Sequence, residues 1–171
     1  SCCDSRIHAT SMFGADMGEF FIHRNIANLV PPYNPDGDHH GTSAAVEYAL
    51  KTLQVSHIII LGHSHCGGIK SGYKLFSSNQ ISHESIFVNK WLDILKPAYE
   101  NISKQINRFD EGNNADLEKE SIKFSLNNLT DFPFVKSALN KKELVLHGLW
   151  HDIGSGALEA LDPISMNFKK I

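Results

Sequence analysis

Apolar and polar positions change their rhythm twice along this chain. In the first third, short apolar runs alternate with stretches of helical spacing. Phe20-Phe21-Ile22-His23 is compact and aromatic and follows Gly18, which predicts a buried strand. Residues 30–37, carrying Pro31, Pro32, Pro35 and Gly37, predict a loop, because proline removes a donor from helix and sheet alike. Residues 44–53 have helical spacing, with Ala44, Ala45, Tyr48 and Ala49 on one face and Thr42 or Ser43 as the cap. His57-Ile58-Ile59-Ile60-Leu61 is a continuous β-branched run and predicts a strand covered on both faces. Gly62 ends it, and Gly67-Gly68 precede a further helix near Ile69. Strand, helix, strand, helix in that order predicts an α/β fold with a mostly parallel central sheet flanked by helices.

The middle third changes period. From about Glu84 to Leu129 the pattern is helical, with Pro97 as an expected break or kink. Residues 110–120 are acidic and polar, and predict a solvated helix face or loop. Residues 143–148 return to a strand pattern, and residues 157–161 predict a short edge strand near the C-terminus. Nothing rich in Gly, Ser or Pro divides the chain, so one domain is expected over its 171 residues. Ser1 opens inside a motif, so a preceding N-terminal segment is expected as well.

Sixteen basic against 19 acidic side chains give a net charge of −3. That leaves no basic field to hold nucleic acid or an anionic membrane by charge. The apolar runs are too short to span a bilayer. Three cysteines are too few for a disulfide scaffold, which points to a reducing compartment and a cytoplasmic location.

Two clusters carry chemistry: Cys2-Cys3-Asp4-Ser5-Arg6, and Gly62-His63-Ser64-His65-Cys66-Gly67-Gly68 behind the most apolar strand. Both fall at predicted strand ends, where open α/β sheets place their sites. His63 and Cys66 are zinc-ligand types that one turn can bring onto one ion, although a structural histidine and a buried cysteine satisfy the same pattern. The first cluster adds a third soft ligand. Strand alternation would point Cys2, Asp4 and Arg6 to one face, leaving Cys3 as a small core residue. Two cysteines and a histidine with one open position suit a catalytic zinc.

Cys-x-Asp-Ser-Arg followed by His-x-x-Cys-Gly-Gly resembles the β-class carbonic anhydrases. The likeness continues through Arg24-Asn25-Ile26-Ala27-Asn28, Pro31-Pro32-Tyr33, residues 41–48 and Leu146-His147-Gly148, and is weakest over residues 85–131. The resemblance implies reversible hydration of carbon dioxide to bicarbonate and a proton by a zinc-bound hydroxide. Cys2, His63 and Cys66 would bind Zn²⁺; Asp4 would accept a hydrogen bond from the hydroxide, and Arg6 would orient Asp4. The Gly67 N–H would hold bicarbonate, and Phe21, Ile26 and Tyr48 would wall the carbon dioxide pocket, although periodicity alone would put these three in the core. A homodimer or tetramer is implied too. His151 stands where bicarbonate-regulated members carry tyrosine, which favours an open metal site. Thr52 stands where plant-type members place a shuttle histidine, so no shuttle is assigned; His65 lies near the metal loop and His39-His40 are placed on a loop, and all three fit simply solvated residues as well. Rival readings are a carbonyl sulfide or carbon disulfide hydrolase on the same scaffold, and a non-catalytic zinc domain, which four protein ligands would normally close.

Overall fold

β1 (His57–His63) and β2 (Val145–His151) form the centre of the molecule, paired in parallel from His57 opposite Val145 to His63 opposite His151. Their C-terminal ends therefore finish level, and the metal-ligand types of the second cluster emerge there. This is a computed structural model that describes residues 1–37, 40–78, 85–105 and 114–171. The expectations placed on His39, Glu84 and residues 110–113 lie outside the described residues.

β3 (Leu158–Leu161) pairs antiparallel with β2, and β4 (Phe168–Lys170) antiparallel with β3. The sheet is thus mixed, where the sequence predicted a mostly parallel one. The reason is chain length. Residues 152–157 and 162–167 are tight turns, and a parallel return needs a crossover of about a dozen residues or more. The edge strand expected over residues 157–161 is present as β3, but β4 lies outside it.

Helices cover the sheet. They are α1 (Ala9–Phe13), α2 (His40–Lys51), α3 (Gly67–Ser78), α4 (Ile86–Leu92), α5 (Lys96–Gln105), α6 (Ala115–Asp131) and α7 (Pro133–Asn140). Pro97 marks the expected break: α4 gives way to a 3₁₀ turn at Asp93–Leu95, and Pro97 stands in the first turn of α5, where its missing N–H is no loss. α2 begins earlier than predicted, so Thr42 is inside the helix; there its hydroxyl meets His23 Nε2 and the Asn25 side-chain amide instead of serving as a cap. His40 belongs to α2, not to a loop. Ala49 is buried on that helix, whereas Ala44 and Tyr48 are exposed.

α6 packs on both β1 and β2. Its buried set, Leu117, Glu118, Ser121, Ile122, Ser125 and Leu129, follows helical spacing. Close approach to the sheet depends on two strand glycines. A Cβ on Gly62 would lie 2.7 Å from Ile122 Cδ1, and one on Gly148 2.9 Å from Ile122 Cγ2 and 3.0 Å from Leu126 Cδ1. Gly148→Ala should therefore lower stability by about 1–3 kcal/mol through overpacking, read as a lower denaturant midpoint.

The predicted buried strand at residues 20–23 is not one. The segment forms neither strand nor helix, and Phe20, Phe21 and Ile22 are exposed. The β-branched run of β1 is covered fully only from Ile60 onward; Ile58 and Ile59 are half-buried. Both departures border one apolar groove of about 420 Å³, lined by Phe13, Phe20, Phe21, Ile22, Val46 and Ile58 among others.

Candidate metal centre

Cys2 enters the site on the segment that meets Asn25 in a single parallel bridge, with Cys3 N–H donating to the Asn25 carbonyl at 2.9 Å. Arg24 holds this segment: its guanidinium donates to the carbonyls of Cys2, Asp4 and Ile7 at 2.9, 2.7 and 2.9 Å. The sequence reading gave no hint of this backbone-clamping role of Arg24. Cys3 is exposed, not a core residue, because the chain turns immediately after the bridge and strand alternation does not continue. Asp4 and Arg6 still meet, for a different reason. The Arg6 N–H donates back to Asp4 Oδ1 at 3.0 Å, a turn, and the guanidinium then closes a two-bond pair at 2.8 and 2.7 Å. That pair, led by the Arg6 hydrogen bonds, holds the Asp4 carboxyl well below its usual range.

His63 is the last residue of β1 and is fully buried. Its Nδ1 lies 2.9 Å from the Ser64 carbonyl, which can only accept, so Nδ1 carries the proton. Nε2 is consequently a bare acceptor, buried with no partner among the described residues. The chain then reverses through His65 in the left-handed region, φ 56°. This brings Cys66 back to the same point. Ser64 anchors the turn: its N–H donates to the His151 carbonyl at 2.8 Å, and its hydroxyl donates to Asp152 Oδ1 at 3.0 Å. Arg6 also donates to the His65 carbonyl at 3.2 Å, tying the two clusters together.

Cys2, His63 and Cys66 are all buried, and their donor atoms lie within 4.8 Å of one another. The two Sγ atoms are 3.8 Å apart. Two thiolates on a tetrahedral zinc with Zn–S bonds of about 2.3 Å would stand about 3.8 Å apart. The orphaned His63 Nε2 and this sulfur spacing both fit zinc. In the metal-free pair one thiol donates to the other sulfur, and either sulfur can be the donor. That bond lowers the Cys2 pKa to about 4, and it pushes Cys66 well above its usual value, with burial adding to the rise. Burial pulls His63 down, but the Cys2 sulfur and the Ser64 carbonyl outweigh it and hold the pKa above normal.

Zinc must therefore displace the proton that the thiol pair keeps at neutral pH. Apparent zinc affinity should fall about tenfold for each unit of pH lost between about pH 8 and 6, and more steeply as His63 protonates. Chelator competition across that range checks this; a flat profile would mean that no thiol proton is displaced.

Gly67 opens α3, and a side chain there would meet open space. Ile26 lies against the same helix end, since a Cβ on Gly68 would be 2.8 Å from Ile26 Cγ2. Phe21 and Tyr48 form a ring pair with centroids 5.8 Å apart. They are 48% and 49% exposed, so periodicity's core placement fails, and Cys2, His63 and Cys66 do not line the groove beside Phe21. One site neighbour was missed outright. Glu118, in the stretch expected to be solvated, is 2% exposed and bonded to the Cys66 backbone. Its signal was a carboxylate at helical spacing among Leu117, Ile122 and Leu129.

A buried Cys-His-Cys set at the C-terminal ends of paired strands, beside a salt-bridged aspartate, defines a zinc-site protein with fewer than four protein ligands among its described residues. The chain belongs to the carbonic anhydrase family, whose model matches residues 1–158, and within it to the β class. It is 36% identical over 160 residues to β carbonic anhydrase 3 of Arabidopsis thaliana; the match covers 93% of this chain but only 61% of the relative. Among solved structures it is similar to the β-carbonic anhydrase CcaA, with a TM-score of 0.87 and 31% identity over 99% of this chain and 81% of the other. It is also similar to tetrameric β-carbonic anhydrases from Sordaria macrospora, with a TM-score of 0.78 and 31% identity over 94% of this chain and 77% of the other.

Proposed function

We propose that the protein catalyses the reversible hydration of carbon dioxide to bicarbonate and a proton. The observation that carries this reading is the pairing of three convergent metal donors with an aspartate whose carboxylate oxygens are both engaged by Arg6. Cys2, His63 and Cys66 hold the metal, and Asp4 is kept out of the fourth position. Zinc, when bound, supplies a Lewis acid that lowers the pKa of water toward neutrality. Asp4 is an acceptor on both oxygens, so it orients an O–H at the open position and cannot itself donate. The N–H of Gly67, at the N-terminus of the 12-residue α3, favours the bicarbonate anion. Ile26 contributes an apolar wall beside Gly68, where carbon dioxide needs no hydrogen bonds.

Phe21 and Tyr48 complete that wall in an assembly of copies of this chain, a homodimer or tetramer. Their exposure supports this reading, together with the exposed Phe20, Ile22 and Leu53. The similar Sordaria enzymes are tetrameric. A cytoplasmic location accords with Cys2 and Cys66, which serve as ligands only while reduced. No described helix is long and apolar enough to cross a membrane.

Stopped-flow carbon dioxide hydration by zinc-loaded protein tests the activity. The expected result is buffer-dependent turnover that chelation abolishes; a zinc-replete protein with no hydration above background overturns it.

A further inference from the structure

Glu118 is a carboxylate buried without a cationic partner among the described residues. Its neighbour Lys119 turns away, to Glu159 at 2.7 Å and over the Trp150 ring at 4.3 Å from the centroid. Such a group costs stability unless its oxygens are satisfied. Here Oε1 accepts the Cys66 backbone N–H at 3.0 Å, and Oε2 accepts the Trp150 Nε1–H at 3.1 Å. The carboxylate thus spans from the metal turn to β2, and α6 beneath it is seated on the sheet by Ile122 against Gly62 and Gly148.

Cys66 needs this support. It lies between the left-handed His65 and the start of α3, so no strand fixes its peptide. Residues 64 and 65 are tied by His151, Asp152 and Arg6, and Glu118 supplies the corresponding tie at residue 66. A carboxylate suits the task because it accepts on both oxygens. A carboxamide of the same shape would turn an N–H₂ toward one of the two donors.

We infer that Glu118 is a positioning residue for the metal set, fixing the Cys66 peptide so that its Sγ converges with Cys2 and His63. The inference rests on the zinc reading of that set. It acts through the ligand, with no contact to substrate. Outer partners of metal ligands typically govern affinity by about 10–100-fold.

The test measures zinc affinity by chelator competition, and the thiolate-to-metal charge-transfer band of the cobalt(II)-loaded protein. Glu118→Gln should lose zinc affinity by about 10–100-fold and shift the cobalt band. Trp150→Phe, which removes one anchor of Glu118, should give a smaller loss in the same direction. Leu129→Val, which weakens α6 packing away from the site, should change neither readout. Wild-type affinity and an unmoved band in Glu118→Gln overturn the inference, as does an equal loss in Leu129→Val. If Glu118→Gln fails to fold, an unchanged zinc affinity in Trp150→Phe overturns it. Failure of the wild-type chain to take up zinc instead overturns the metal reading itself, a separate outcome.

Discussion

Cys66→Ser protein should purify without zinc and without carbon dioxide hydration. A serine hydroxyl stays protonated at neutral pH, so the charged ligand is lost, not weakened. Structural zinc sites bind with about 10–16 kcal/mol. Shared over four ligands, one ligand carries about 3–4 kcal/mol, or about a 10²–10³-fold loss of affinity. The substitution also buries a hydroxyl at a position only 1% exposed, which costs about 1–3 kcal/mol unless it is bonded. Metal content must therefore be read on protein shown to be folded by circular dichroism. Cys3→Ser is the matched comparison. Cys3 is exposed and outside the donor set, so its variant should keep zinc and activity. Full zinc occupancy in Cys66→Ser, or metal loss in Cys3→Ser, would show that the ligand set is wrong.

Arg6→Ala should leave zinc in place and lower kcat/KM by about 10²-fold, the scale of one lost orienting group in an active site. The guanidinium makes both side-chain bonds to Asp4, and only the backbone N–H of residue 6 would remain. Asp4 would then be free to occupy the fourth metal position and exclude water. Its carboxyl would also titrate closer to the ordinary value, because the first cause of its lowered pKa is the Arg6 hydrogen bond. The depressed carboxyl is charged above its own low pKa, so the orienting acceptor is lost only in acid; in the variant that loss moves up in pH. The Arg6 side chain is 48% exposed, so folding stability should hardly change. A crystal structure of the zinc-loaded variant should place an Asp4 oxygen within about 2.0–2.2 Å of the metal. Unaltered activity, or an Asp4 still directed away from the metal, would remove Arg6 from this role.

The limits of the sequence are visible at particular residues. His63 and Cys66 were legible because a β-branched run ends in a glycine and the two ligand types follow at turn spacing. Cys2, not Cys3, lies buried within the donor set, but strand alternation is not what places it there. The segment bridges once to Asn25 and turns, and it is Arg24, bonded to three carbonyls, that holds it. Phe20-Phe21-Ile22 was apolar enough for a strand, yet apolar character states only that water is avoided. Glu118 was lost because a charged stretch reads as solvated until its helix has something to lie against.

Sequence alone determined the candidate ligand types, the turn after β1, the helices α2 and α3, the helical middle of the chain and the strands β1, β2 and β3. These are local properties: residue type, spacing, and glycine or proline punctuation act over a few residues. Tertiary structure decided the rest. It made the sheet mixed, because the turns after β2 and β3 are too short for a crossover. It freed Nε2 of His63 by giving Nδ1 the Ser64 carbonyl, set the two sulfurs 3.8 Å apart, and placed a buried carboxylate behind Cys66. The sulfur pair and the Cys66–Glu118 bond join residues far apart in the chain, where no local preference reaches and only the packing of α6 and the N-terminal segment around the two parallel strands brings the partners together; the hairpins that make the sheet mixed are local, but their pairing shows only once the strands are laid side by side.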